Sequence, residues 1–133
     1  IGFTNGCFDL IHSGHIDMLK KAAESCDKLI VAVNSDQSIK RLKGESRPIL
    51  NLEAREKLLS SLEMIDFVIS FKEDTPINLI KIIKPNILFK GADYKTKDII
   101  GANYIKKIGG KVIRIKLTKN QSTTKLISML EKK

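Results

Sequence analysis

An almost unbroken apolar run of strand length occupies residues 28–34, which read Lys-Leu-Ile-Val-Ala-Val-Asn. Such runs are typical of strands covered on both faces, and therefore of parallel sheets. Strands that alternate with helices form right-handed βαβ units. The sequence therefore predicts one α/β domain over residues 1–133, with a Rossmann-like, five-stranded parallel sheet and helices on both faces. The other four strands are predicted at residues 1–3, 67–71, 86–90 and 111–116.

The helices are predicted from apolar spacing and from capping residues. Ile16, Leu19, Ala22 and Ala23 fall on one face of a helix that begins directly after the first loop. The alternating pattern of the fifth strand indicates a position at a sheet edge. The remaining helices are predicted at residues 35–42, 51–62, 76–83, 97–108 and 125–131.

The formal net charge of +9 is unevenly distributed along the chain. Residues 1–71 carry 9 Lys and Arg against 10 Asp and Glu, whereas residues 72–133 carry 15 against 5. A basic half is typical of nucleic-acid binders, so a non-catalytic nucleotide- or RNA-binding module is one alternative. However, this half has only three aromatic residues and no RNP, zinc-finger or helix-turn-helix pattern. We therefore expect a phosphate-rich small substrate and no nucleic-acid partner.

Composition also bears on the cellular compartment. No apolar run is long enough to cross a membrane, so no membrane partner is expected. Cys7 and Cys26 are isolated and lack the CxxC spacing, which favours a reduced, cytoplasmic protein. The chain begins with Ile rather than Met, which suggests an excised or processed fragment. No charged-then-apolar leader precedes the first strand, so no secretory signal is expected.

The largest group of candidate functional residues lies in the segment after the first strand. This segment reads Thr4-Asn-Gly-Cys-Phe-Asp-Leu-Ile-His-Ser-Gly-His15. Gly6 can take backbone angles that a residue with a Cβ resists. The following helix presents free N–H groups that favour an anion, worth about 0.3–1 kcal/mol when exposed. His12 and His15, three residues apart, would share a helix face and suit a polyphosphate. Taken singly, each histidine is more often a surface or capping residue, and zinc pairs usually have i, i+4 spacing.

Other loops are expected at the same edge, because open parallel sheets bind ligands at the carboxyl ends of their strands. Lys43 and Arg47 lie in a polar loop that can clamp phosphates or simply be solvated. The carboxylate and aromatic ring of Gly91-Ala-Asp-Tyr94 suit a ribose and a base, although an ordinary turn is equally consistent. Ser122–Thr124 can cap a helix or contact a phosphate. Arg55 lies in the first turns of its helix, where a cation opposes the dipole, which hints at an anionic partner.

The string GCFD followed by HSGH resembles the signature of the nucleotidyltransferase superfamily that includes glycerol-3-phosphate cytidylyltransferase, where the pattern reads G-x-F-D-x-x-H-x-G-H. The likeness extends to Thr124. It is greatest to the adenylyltransferase domains that act on D-glycero-β-D-manno-heptose 1-phosphate, through VNSD, RLKG with RP, EDTP, FKGADY and QSTT. The cytidylyltransferases usually carry an Arg-Thr pair where this chain has Leu117-Thr118, so cytidylyl transfer to glycerol 3-phosphate is the second alternative.

This resemblance implies transfer of AMP from ATP to a sugar 1-phosphate, with Mg²⁺ bound mainly through the triphosphate. It also implies a homodimer and a fused or separate sugar kinase. His12, His15 and Lys43 would be catalytic, and Arg47 and Arg55 would hold phosphates. The remaining implied residues would form the nucleotide pocket, with Asp9 bracing its loop: Thr4, Asn5, Gly6, Cys7, Phe8, Asp9, Gly14, Lys90, Gly91, Asp93, Tyr94, Ser122, Thr123 and Thr124.

Overall fold

The computed structural model describes residues 1–116, in which five strands form a single parallel sheet. The strand order is β3-β2-β1-β4-β5, so the predicted parallel sheet and the edge position of the fifth strand are both confirmed. The predicted last helix, 125–131, and the predicted contacts of Ser122–Thr124 lie outside the described residues. The strands are β1 (Gly2–Gly6), β2 (Leu29–Asn34), β3 (Phe67–Phe71), β4 (Ile87–Gly91) and β5 (Lys111–Ile115).

The first three α-helices of the described chain begin at side chains that cap them, and the two that follow have no side-chain cap. Ser35 Oγ accepts a hydrogen bond from Ser38 N at 3.2 Å, and Asn51 Oδ1 accepts one from Ala54 N at 2.9 Å. The predicted helix over 97–108 is wrong in its first half, because residues 96–98 form only a 3₁₀ turn. The next helix starts after Gly101, whose φ of 88° favours glycine. The helices are α1 (Ser13–Glu24), α2 (Asp36–Lys43), α3 (Leu52–Ser60), α4 (Ile77–Ile83) and α5 (Ala102–Lys107).

Helices cover both faces of the sheet, and a separate apolar cluster lies on each face. Val31 and Val33 of β2 belong to the same cluster as Leu59 of α3. Ala32, between the two valines, belongs to the cluster that contains Ile80 of α4. Successive side chains of a strand point to opposite faces, which explains why β2 is apolar throughout. Within residues 1–116 no helix has the length and apolar character needed to span a bilayer.

The strand order reverses between β1 and β4, and these two strands separate towards their carboxyl ends. They pair only through Gly2 with Ile87 and Phe3 with Leu88. Farther along, the Lys90 ammonium donates to the main-chain oxygen of Asn5 at 3.1 Å. Open sheets bind ligands at such a reversal, and the fold therefore opens a crevice beside the end of β1.

Thr4 on β1 is fully buried, and no residue in the described part of the chain hydrogen-bonds its Oγ1. We expect Thr4→Val to leave the free energy of unfolding unchanged or to raise it by about 1 kcal/mol, because it removes a buried polar atom without a partner. Urea denaturation measures the change. A loss of more than about 1 kcal/mol would show that the hydroxyl has a partner that matters.

Candidate active site at the carboxyl end of the first strand

A cleft of about 250 Å³ lies where β1 and β4 separate. Its walls come from the loop after β1, the first turns of α1, the last residue of α2 and the loop after β4. All of its lining residues except Met18 were predicted as site residues from the sequence. They are Asn5, Gly6, Cys7, Phe8, Asp9, His15, Met18, Lys43, Lys90, Gly91, Asp93 and Tyr94. The structure thus brings together three stretches that are distant in sequence, residues 5–18, Lys43 and residues 90–94.

The two histidines form a reciprocal cap at the N-terminus of α1. His12 Nδ1 accepts a hydrogen bond from Gly14 N at 3.1 Å, and His15 Nδ1 accepts one from His12 N at 3.2 Å. Their rings stack with centroids 3.9 Å apart and an interplanar angle of 27°. The rings are neighbours, as the three-residue spacing predicted, but only His15 lines the cleft. His12 stacks against it and caps the helix.

This arrangement determines the protonation of both imidazoles. Because each Nδ1 accepts a main-chain hydrogen bond, each neutral ring carries its proton on Nε2. Burial lowers the pKa of His12. Burial, the nearby His12 and the Lys43 ammonium together lower the pKa of His15 to about 4. At neutral pH both rings are therefore neutral, and His15 presents an Nε2–H donor to the cleft.

The pKa of His15 predicts an acid-sensitive contribution to stability. The unfolded chain binds a proton at His15 below its ordinary pKa of 6.5, whereas the folded protein binds it only below about 4. The contribution is fully present above pH 6.5 and is lost as the pH falls towards 4, by roughly 2–3 kcal/mol. Urea denaturation at several pH values in this window measures the loss. His15→Gln should show a flatter dependence, and an unchanged slope in that variant would contradict the assignment.

Asp9, in the loop after β1, forms hydrogen bonds that hold the loop before α3 against it. Its carboxylate is only 3% exposed and accepts hydrogen bonds from Ile49 N at 2.9 Å, Leu50 N at 2.8 Å and Arg47 Nε at 3.1 Å. Burial alone would raise the pKa of Asp9, but these hydrogen bonds and the Arg47 charge outweigh it and lower that pKa. Asp9 therefore braces its loop, as expected. Arg47, expected to hold a phosphate, is instead engaged by Asp9.

Arg55 lies in the first turns of α3, as expected, but it is not placed to meet an anion. Its side chain is fully buried rather than facing an anion. The guanidinium donates to the main-chain oxygens of Leu50, Cys7 and Asn34 at 3.0, 3.0 and 2.6 Å. It also pairs with Asp36 Oδ1 at 2.7 Å. Main-chain carbonyls and one carboxylate thus occupy the donors that were expected to meet a phosphate, and Arg55 ties together the elements behind the cleft.

The reason for glycine at position 6 also differs from the expected one. Gly6 does not have a positive φ. In this loop the residue with a positive φ is Phe8, at 48°. A Cβ on Gly6 would lie 3.0 Å from Cε2 of the Phe8 ring. Phe8 in turn contacts His15, with ring centroids 5.3 Å apart. Close packing against the Phe8 ring, rather than backbone angle, therefore favours glycine here, and the same ring contacts the catalytic candidate His15.

Two lysines supply positive charge to the cleft from opposite walls. Lys43 is the last residue of α2 and is exposed. Lys90, on β4, is largely buried, and its ammonium lies 5.0 Å from the centroid of the Tyr94 ring. Burial lowers the pKa of Lys90, while Cys7 and Asp93 act to raise it. An anion in the cleft would restore the solvation that the Lys90 ammonium has lost.

Several predicted residues do not line the cleft. Thr4 lies in the sheet interior, and Gly14 is buried in α1, where its N–H donates to Nδ1 of the capping residue His12. Sequence reasoning missed Met18, which forms an apolar part of the wall. The sequence could have indicated Met18 as a lining residue, because Met18 follows His15 by three residues and so shares its helix face.

Comparison with known proteins places this site in a family. The profile of the cytidylyltransferase-like family matches residues 3–129. The bifunctional protein HldE of Gluconobacter oxydans (strain 621H) is 49% identical over 125 residues, which are 94% of this chain and 26% of that protein. The same-named protein of Nitrobacter winogradskyi is 52% identical over 127 residues, 96% of this chain and 26% of its own length. The chain thus spans about a quarter of these curated relatives.

Solved structures agree with the sequence comparison. The lipopolysaccharide core biosynthesis protein from Thermoplasma volcanium GSS1 superimposes with a TM-score of 0.70 at 30% identity, over 89% of this chain and 95% of that one. Pantoate-beta-alanine ligase from Francisella tularensis superimposes with a TM-score of 0.64 at 22% identity, over 89% of this chain and 59% of that one, which shows likeness of fold alone. Profile, relatives and fold concur: the chain belongs to the cytidylyltransferase-like family of nucleotidyltransferases.

Proposed function

We propose that this domain transfers AMP from ATP to the phosphate of a sugar 1-phosphate, D-glycero-β-D-manno-heptose 1-phosphate, giving ADP-heptose and pyrophosphate. The observation that carries the proposal is the convergence of His15 Nε2–H, Lys43 and Lys90 on one cleft at the N-terminus of α1. These groups are donors and cations, which suit the oxygens of a polyphosphate. The choice of adenylyl over cytidylyl transfer follows the resemblance in sequence and the residues Leu117-Thr118.

In the proposed reaction, an oxygen of the sugar phosphate attacks the α-phosphorus of ATP. The new P–O bond forms as the bond to the β-phosphate oxygen breaks, and its electron pair leaves with pyrophosphate. The attacking oxygen is already anionic, so the site needs no strong general base. Catalysis then depends on positioning and on neutralising charge at the α-phosphoryl oxygens. The His15 Nε2–H donates there, while Lys43 and Lys90 offset the negative charge of the reacting phosphates.

The donor set of the cleft fits a magnesium ion carried by the substrate. Within the described residues no group of three His, Cys, Asp or Glu side chains could hold a metal. The lining residues include two carboxylates, and Asp9 is occupied by the 47–50 loop, which leaves Asp93. Phosphate oxygens and water would therefore provide most of the ligands, with Asp93 available as one more. When bound, the ion would neutralise charge on the triphosphate.

Pyrophosphate release tests the proposal directly. The domain is incubated with Mg²⁺ and either ATP or CTP, together with heptose 1-phosphate or glycerol 3-phosphate. We expect release only with ATP and the heptose phosphate. Release with CTP and glycerol 3-phosphate would instead establish the cytidylyltransferase alternative. Strongly salt-dependent RNA binding without any release would favour the non-catalytic alternative.

The proposed assembly follows from the same resemblance. The HldE relatives are bifunctional proteins about four times as long as this chain. We propose that the second activity is a sugar kinase, fused or separate, that supplies the sugar 1-phosphate. A homodimer is proposed for the domain itself. Sedimentation equilibrium of the isolated domain distinguishes a dimer from a monomer.

A further inference from the structure

A second cavity, of about 300 Å³, adjoins the cleft on its α2 and α4 side. The two spaces share part of their walls, including Asn5, Lys43 and Lys90. The second cavity continues past these residues to Thr75 and Asp98, which the cleft does not reach. It is called the distal cavity below. The two lysines therefore stand at the junction between the spaces, where a group bound in one meets a group bound in the other.

The distal cavity is polar at both ends, with opposite charge. Lys43 and Lys90 lie at the junction, and Asp74 and Asp98 lie among the other lining residues. Asp74 is already neutralised, because its Oδ1 accepts from Arg41 Nε at 2.8 Å. By contrast, the Asp98 carboxylate is exposed, and within residues 1–116 no group hydrogen-bonds or pairs with it. The cavity thus offers cations at one end and one open carboxylate acceptor at the other.

We propose that the distal cavity binds the acceptor of the proposed reaction, with the acceptor's phosphate between Lys43 and Lys90 and its hydroxyl-bearing body towards Thr75 and Asp98. This assignment rests on the proposed function, since it places the second substrate of that reaction. An acceptor phosphate at the junction faces the α-phosphorus of a nucleotide in the cleft without crossing its triphosphate. Such placement converts a two-substrate encounter into a reaction within one bound complex.

The charged residues that line the distal cavity favour an acceptor whose body carries hydroxyl groups over one whose body carries a cation or a second anion. A second phosphate would lie against the Asp98 carboxylate, which would repel it. A cationic amine would gain from one free carboxylate only, because Arg41 already neutralises Asp74. Sugar hydroxyls, in contrast, donate to a carboxylate and exchange hydrogen bonds with a threonine hydroxyl. The distal cavity therefore selects a phosphorylated polyol, which agrees with a sugar 1-phosphate.

Two substitutions and one matched control test the assignment by steady-state kinetics. Asp98→Ala removes the proposed hydroxyl acceptor, and Thr75→Phe fills the space near Thr75. The control, Asp27→Ala, removes an exposed carboxylate next to the amino end of β2, away from both spaces. ATP and heptose 1-phosphate are varied independently, and pyrophosphate release is measured.

We expect Asp98→Ala to raise the KM for the sugar phosphate by about 10-fold or more, the effect of losing one hydrogen bond to a charged group. Thr75→Phe should raise it by about as much, because the phenylalanine ring occupies space that the sugar needs. Both variants should leave the KM for ATP within about twofold. The control should change neither value. An increase in the KM for ATP alone would make the distal cavity part of the nucleotide site and overturn the assignment. Unchanged acceptor KM values in active variants would also overturn it. A wild-type domain that releases no pyrophosphate would refute the proposed function itself, and the acceptor assignment with it.

Discussion

Replacing His15 with alanine should lower kcat by roughly 10²–10³-fold, the usual loss when one donor to a transition state is removed. His15 is the imidazole that lines the cleft, and its Nδ1 is occupied by His12 N, so its Nε2–H is the group available to an α-phosphoryl oxygen. The KM for ATP should change much less, because the donor acts mainly on charge that develops in the transition state. Pyrophosphate release measures both constants.

Two further substitutions separate this donor from the helix cap. Asn at position 15 can place its side-chain oxygen where His15 Nδ1 accepts, but it has no donor that reaches the cleft. Gln is longer and can present an N–H near the position of Nε2. We therefore expect His15→Asn to be as slow as His15→Ala, and His15→Gln to recover part of the activity. A His15→Ala protein with a native circular dichroism spectrum and wild-type kcat would exclude His15 from the reaction.

Replacing Arg55 with methionine should lower the free energy of unfolding by about 3–5 kcal/mol, the cost of breaking a buried charged network by removing one partner. Methionine fills much of the volume but leaves the oxygens of Leu50, Cys7 and Asn34 without a donor. Lysine should not restore stability, because its compact ammonium cannot reach carbonyls on several sides as the planar guanidinium does. Urea denaturation measures both variants.

Arg41 provides a matched control for Arg55. It also pairs with an aspartate at 2.8 Å, but its side chain is 48% exposed and that of Asp74 is 60% exposed. Arg41→Met should therefore cost less than about 1 kcal/mol. If Arg55 instead acted on a phosphate, Arg55→Met would keep its stability and lose affinity for ATP. That outcome would reverse the structural assignment.

The sheet and the cleft could be predicted because their signals are local. The apolar run of β2 reports burial on two faces, and the loops after β1 and β4 follow strand ends that parallel pairing must bring together. The placement of Lys43 and His15 beside the cleft followed from that geometry, whereas Lys90 was implied only by the resemblance to the family. The pattern around α5 was less informative, because Gly101 interrupts a segment whose composition is otherwise helical.

Long-range hydrogen bonds explain what could not be predicted. Arg55 donates to Cys7, 48 positions earlier, and Asp9 accepts from Ile49, 40 positions later. The position of a residue in the first turns of a helix does not indicate which distant loop will cover its side chain. The sequence therefore gave no sign that the Arg55 guanidinium would be buried instead of meeting an anion. Likewise, glycine at position 6 is compatible with either an unusual backbone angle or a neighbouring ring. Only the placement of Phe8 distinguishes these causes.

The mutual cap of His12 and His15 also decides which ions the site can accept. A transition metal needs a ring nitrogen with a free lone pair. Here both Nδ1 lone pairs are engaged by main-chain N–H groups, and freeing an Nε2 lone pair would move the proton to Nδ1 and break the cap. Zinc binding would therefore disrupt the N-terminal cap of α1. A phosphate oxygen, in contrast, can accept a hydrogen bond from the Nε2–H without any change in the cap. The same pair of rings therefore discriminates against metals while it remains ready for anions.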